Sequence, residues 1–151
     1  VTLAVWMRGK CDTKDVVPYM TAQIAGAIVA ALVVGFQKGN PLNAATAPDV
    51  ARAILNEFLF TFALAYVVLN VATSKKNAGN SYYGLAIGCA LLVGAYAGGG
   101  ISGGAYNPAV AVGISTMGLS AFSNIWIFLV GNFLGGALAA VVYKIVNPEE
   151  N

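Results

Sequence analysis

The residues best suited to chemistry are Asn107-Pro108-Ala109, set between the Gly-rich stretch Gly98–Tyr106 and the short apolar segment Val110–Met117. Asn is a strong helix N-cap, and Pro at the first helical turn costs nothing because its missing N–H would be unpaired there anyway. The motif therefore predicts a helix that starts at Asn107 and ends near Met117, about 15 Å long. Its N-terminus would carry about +0.5 elementary charge, and the Asn107 side-chain NH₂ could donate to a passing water or hydroxyl. A simple turn before a helix is the plainer reading. Glu57 is the second candidate. Deep in a lipid-embedded helix a carboxylate costs about 2.5–3.5 kcal/mol, so it must find donors, and Thr61 lies one turn on; the alternative places Glu57 at an interface beside Arg52. The chain has no His, and its acidic residues are not clustered within the apolar runs, which excludes a metal centre or a His-based catalytic constellation. Cys11 and Cys89 are too few and too far apart for a disulfide framework.

The elements that must hold these residues are membrane spans. Of 151 residues 58% are hydrophobic and 9% charged, with a mean hydropathy of +0.74, against about 25% charged in ordinary soluble domains. Four runs approach the roughly 20 apolar residues needed to cross a bilayer: about 16–36, 53–73, 82–98 and 125–146. Val110–Met117 is too short to cross, and half-helix length is half of a ~30 Å hydrocarbon core. Irregular backbone at that depth is tolerated only where it is buried in protein or lines a wet cavity. The 98–105 stretch is accordingly expected to run extended, and an interrupted segment of this kind points to a pore or a substrate site. Arg8, Lys10 and Lys14, then Lys75 and Lys76, then Lys144 fall on one side of a four-crossing topology. Only Lys38 and Arg52 fall on the other, so the first side is expected to be cytoplasmic.

A repeat underlies the order of elements. Val1–Gly35 superposes on Val110–Lys144 without a gap, placing Gly9 on Gly118, Tyr19 on Phe128, Ala22 on Gly131, Gln23 on Asn132, Gly26 on Gly135, and Ala30 and Ala31 on Ala139 and Ala140. Three crossings separate the copies, so they are expected to be inverted, with a shared site near the midplane. The first half-helix is expected over 1–9 and the second, with its re-entrant loop, over 99–118. The chain opens at Val1 inside an apolar pattern, and the expectation is a fragment whose own Asn-Pro-Ala precedes Val1. Stripes of small residues at Ala22/Gly26/Ala30, Gly84/Gly88 and Gly131/Gly135/Ala139 are read as close helix contacts. Asn40-Pro41-Leu42 and Asn147-Pro148 have no half-helix after them and are set aside.

Gly84–Gly94, Gly100–Ala109, Glu57-x-x-x-Thr61-Phe62 and Gly131–Gly136 together resemble the aquaporin (major intrinsic protein) family along the whole chain. The resemblance implies an all-α membrane protein: an aquaporin-like inverted-repeat helical bundle with re-entrant half-helices, present here as one partial domain over 1–151. It implies passive conduction of water or small neutral solutes, with cations and protons excluded by the half-helix ends. It further implies no enzymatic activity, no cofactor, no nucleic-acid partner, residence in a plasma or inner membrane, and a homotetramer. By resemblance Glu57 accepts backbone N–H groups of the re-entrant loop, and the carbonyls of Gly103, Gly104 and Ala105 form half of a water-binding ladder. The outer constriction would fall at Ala95, Gly104 and Val110. Most family members carry Arg where this chain has Val110, and water-selective members often carry His where it has Ala95. That departure implies a wider, less polar opening that admits glycerol, urea or ammonia-like solutes. An inverted-repeat secondary transporter and a non-conducting scaffold are the alternatives.

Overall fold

The computed structural model describes residues 1–39 and 48–150; Asn40-Pro41-Leu42 lies outside them. Among the described residues six α-helices follow in order: α1 (Thr2–Met7), α2 (Thr13–Lys38), α3 (Val50–Val68), α4 (Tyr83–Ser102), α5 (Pro108–Thr116) and α6 (Ile125–Val146). A π-helical turn, Leu69–Thr73, prolongs α3, and single 3₁₀ turns occupy Lys75–Asn77, Phe122–Asn124 and Pro148–Glu150. Among the described residues four segments are long and apolar enough to cross a membrane: Thr13–Lys38, Val50–Thr73, Tyr83–Ser102 and Phe122–Val146. The two remaining helices, α1 before the first of these and α5 between the last two, are too short to do so.

The centre of the bundle is the α3–α6 pair, with α4 on the other side of α3. Glycines on α6 allow the close approach. A Cβ at Gly131 would stand 2.7 Å from Glu57 Cβ, and one at Gly135 would collide with the Phe58 carbonyl. The α6 stripe thus behaves as its spacing suggested. The other two meet nothing within this chain: no atom lies within 4 Å of a Cβ built at Gly26, Gly84 or Gly88, and those faces of α2 and α4 look outward.

The short helices each pack on the long helix of the opposite repeat, α1 against α6 and α5 against α2. The 109-residue offset holds at the level of single hydrogen bonds. After α1, Arg8 N, Gly9 N and Lys10 N donate to the carbonyls of Ala4, Trp6 and Val5; after α5, Met117 N, Gly118 N and Leu119 N donate to those of Gly113, Ser115 and Ile114. Gly9 and Gly118 both have φ +75°, the left-handed C-terminal position that glycine favours. The entries to the following spans match too. Asp12 has φ/ψ −66°/142° and Ala121 −69°/140°, and Asp15 N and Asn124 N each donate three residues back, to Asp12 and Ala121.

One expectation fails. The 98–105 stretch is not extended throughout, because α4 stays helical to Ser102. The spacing Gly94, Gly98, Ser102 is four residues, one helical face, and that face is the one buried against α3. Only Gly103 to Tyr106 leave the helix, three of them with positive φ: Gly103 +94°, Gly104 +64° and Tyr106 +49°.

Candidate functional site

The site assembles where α4 stops and α5 starts. Glu57, on α3, is fully buried (0% exposed) and faces that break rather than the interface near Arg52. Its Oε1 accepts from Ser102 Oγ at 2.6 Å and from Ala105 N at 3.0 Å, and its Oε2 accepts from Tyr106 N at 2.7 Å. A carboxylate receiving two backbone N–H groups and a hydroxyl is the strong, charge-assisted kind of anchor. It fixes the unwound backbone just before Asn107. Ser102 Oγ also accepts from Gly104 N at 3.1 Å, so a single hydroxyl relays the carboxylate to the turn.

Asn107 has extended backbone (φ −159°), and its Oδ1 accepts from Ala109 N at 2.9 Å. This is the N-cap geometry that the motif predicts, with Pro108 at the first helical position. With Oδ1 engaged, the side chain's remaining capacity is its two N–H donors. Asn107 is half-buried, and α5 is a separate nine-residue helix, about 14 Å long, distinct from any crossing.

Asn107, Pro108 and Ala109 line a cavity of about 120 Å³ together with Val1, Thr2 and Leu3. The starts of the two short helices therefore meet at one cavity. Thr61 and Asn132 form part of its wall, with Thr61 Oγ1 donating to Asn132 Oδ1 at 2.7 Å. Gln23 and Thr2 line it as well, with Gln23 Nε2 donating to Thr2 Oγ1 at 2.9 Å. Ala95, Gly104 and Val110 are not brought to this cavity. Ala95 and Val110 are exposed, the latter 42%, and Gly104 is half-buried. Ala105 is buried and Gly103 exposed. Among the described residues there is no group of three His, Cys, Asp or Glu that could hold a metal ion.

Two residues of the site escape sequence reasoning. Asn56, next to Glu57, donates through Nδ2 to Ser102 Oγ at 2.7 Å, Gly98 O at 3.1 Å and Tyr106 Oη at 3.3 Å. Tyr106 is 1% exposed. The available signal was the pair Asn56-Glu57 itself: two adjacent polar side chains inside an apolar span both need partners.

A multi-pass helical membrane protein with a capped half-helix beginning at a buried, carboxylate-anchored break is the class that fold and site define. The chain belongs to the major intrinsic protein family, whose sequence model matches residues 1–143. It is 38% identical over 159 residues to a protein described as probable aquaporin TIP3-2 of Arabidopsis thaliana, covering 100% of this chain and 58% of that relative. Identity to aquaporin TIP1-1 of the same plant is 31%, covering 96% of this chain and 59% of the relative. To putative aquaporin NIP4-1, also of Arabidopsis thaliana, it is 31%, covering 97% and 52%. The chain thus spans somewhat under three-fifths of the length of these curated relatives.

Proposed function

We propose that the protein acts as a passive channel for water and small neutral solutes such as glycerol, urea or ammonia. The observation that carries this reading is the single cavity shared by the starts of α1 and α5, with Asn107 at its edge. A capped helix start presents N–H donors and a positive dipole end to whatever passes. It stabilises a water oxygen and repels cations, hydronium included. Glu57 supports the channel over an ion-coupled transporter, since its two oxygens already accept from the loop. In this reading Gly103, Gly104 and Ala105 turn carbonyls toward the path, and Ala95, Gly104 and Val110 set its outer width. The intact protein is a homotetramer with one pore per protomer. By the positive-inside rule the end carrying Arg8, Lys10, Lys14, Lys75, Lys76 and Lys144 faces the cytoplasm.

The experiment is solute-driven swelling of proteoliposomes containing the protein at its full natural length. Val110→Arg puts a bulky cationic donor at the outer opening. Glycerol and urea uptake should fall by about tenfold or more while water flux persists, a barrier increase near 1.4 kcal/mol. Unchanged glycerol and urea uptake in that variant would rule out the width argument, and a wild type no faster than empty liposomes would rule out the channel.

A further inference from the structure

Tyr106 stands out from every other residue of the site. It is the one non-glycine among the described residues with positive φ, +49°, a conformation that costs an L-residue of this size and persists only where surroundings enforce it. Its amide is held by Glu57. Tyr106 is one of the residues lining the cavity, and its side chain reaches both α3 and α4. The hydroxyl donates to the Gly94 carbonyl at 2.7 Å and accepts from Asn56 Nδ2. The ring lies 5.3 Å from that of Phe60, tilted by 49°. Glycine on α4 leaves the room: a Cβ at Gly94 would stand 2.8 Å from Tyr106 Cε2.

Those contacts join two parts of the molecule that the channel reading makes opposite walls of one opening. Gly94 immediately precedes Ala95 on α4, and Tyr106 immediately precedes Asn107 and stands four residues before Val110. We propose that Tyr106 is a positioning residue for solute selectivity: a strut whose hydroxyl sets the separation of the α4 wall at Ala95 from the turn bearing Gly104, Asn107 and Val110. The inference rests on the channel reading and adds to it a determinant that acts through the contacts of its hydroxyl and ring with α3 and α4. Simple core packing would make Tyr106 matter for folding but not for the ratio in which solutes pass.

Water and glycerol permeabilities measured side by side in proteoliposomes of the full-length protein separate the two. Tyr106→Phe keeps the ring and removes only the tether to Gly94 and Asn56. Asn56 Nδ2 retains Gly98 O and Ser102 Oγ. The glycerol-to-water ratio should rise by about threefold or more, at least the order that one of the two lost hydrogen bonds carries, in a variant that still folds. Gly94→Ala, which pushes the ring from the α4 side, should move the ratio the same way and serves if the first variant does not fold. A folded Tyr106→Phe or Gly94→Ala with the wild-type ratio overturns the strut while leaving the channel standing. A wild type that conducts neither solute overturns the channel reading itself.

Discussion

Glu57 is the residue on which the local order depends. Ser102, Ala105 and Tyr106 all donate to it, and no donor on the carboxylate is needed. Replacing it by Gln substitutes an NH₂ for one acceptor, so at least one backbone N–H of the turn faces another donor. A buried donor left unsatisfied costs about 1–3 kcal/mol. Glu57→Gln should therefore destabilise the protein by that amount in denaturant titration in detergent, and a change below about 0.5 kcal/mol would show that the turn holds without the carboxylate. The sequence makes this residue legible because a lone carboxylate within an apolar span is expensive wherever it sits. Asn107 is legible for a different reason, the pairing of a cap with Pro at N1. Tyr106 is not: its role comes from a left-handed backbone angle and from space left at Gly94, and neither is written in the type of residue 106.

At the scale of elements, the 109-residue offset carried most of the information. It predicted two short helices and two long ones, and the structure repeats even the three hydrogen bonds that close each short helix. The offset also ties Gly9 to Gly118, which share φ +75° and have open space around a built Cβ. With no steric term, Ala at either position meets only the backbone penalty of the left-handed region, about 1–2 kcal/mol. Gly9→Ala and Gly118→Ala should each lower stability by a similar amount, and the double variant by their sum. Clearly unequal effects in an unfolding titration would show that the two terminations are not equivalent. Misjudged in the sequence was the end of α4. Glycine density alone suggests a broken helix over 98–105, yet Gly98 and Ser102 stay helical on the face of α4 where Asn56 donates to the Gly98 carbonyl and the Ser102 hydroxyl. The small-residue stripes of α2 and α4 meet no close neighbour within this chain, since small residues permit close contact without requiring it.

For the molecule as a whole, the least expected tie is at the end opposite the site's turn. Asn147-Pro148 does not merely finish α6: it turns the chain so that Glu150, 3% exposed, reaches three separate regions. Glu150 accepts from Arg8 Nη2 at 3.1 Å, Ser74 Oγ at 2.6 Å and Lys75 N at 2.9 Å. Arg8 also lies 4.9 Å over the Tyr143 ring, and Glu149 pairs with Lys76. One carboxylate thus fastens the end of α1, the α3–α4 connection and the end of α6. Its pKa is held down at about 2, from 4.5, first by the Ser74 hydroxyl, then by the Lys75 and Lys76 amides and the Arg8 charge. A carboxylate whose folded pKa is depressed stabilises the fold fully above its unfolded pKa and loses that contribution as pH falls through the folded one. The clasp should therefore be intact at neutral pH and weaken as pH falls from 4.5 to about 2. Melting temperatures of wild type and Glu150→Gln in detergent test this. The variant should melt lower at pH 7, and the gap should close across that acid window as the wild-type carboxyl takes up its proton. A gap that stays constant down to pH 2 would mean that Glu150 holds the three regions by shape, not by charge.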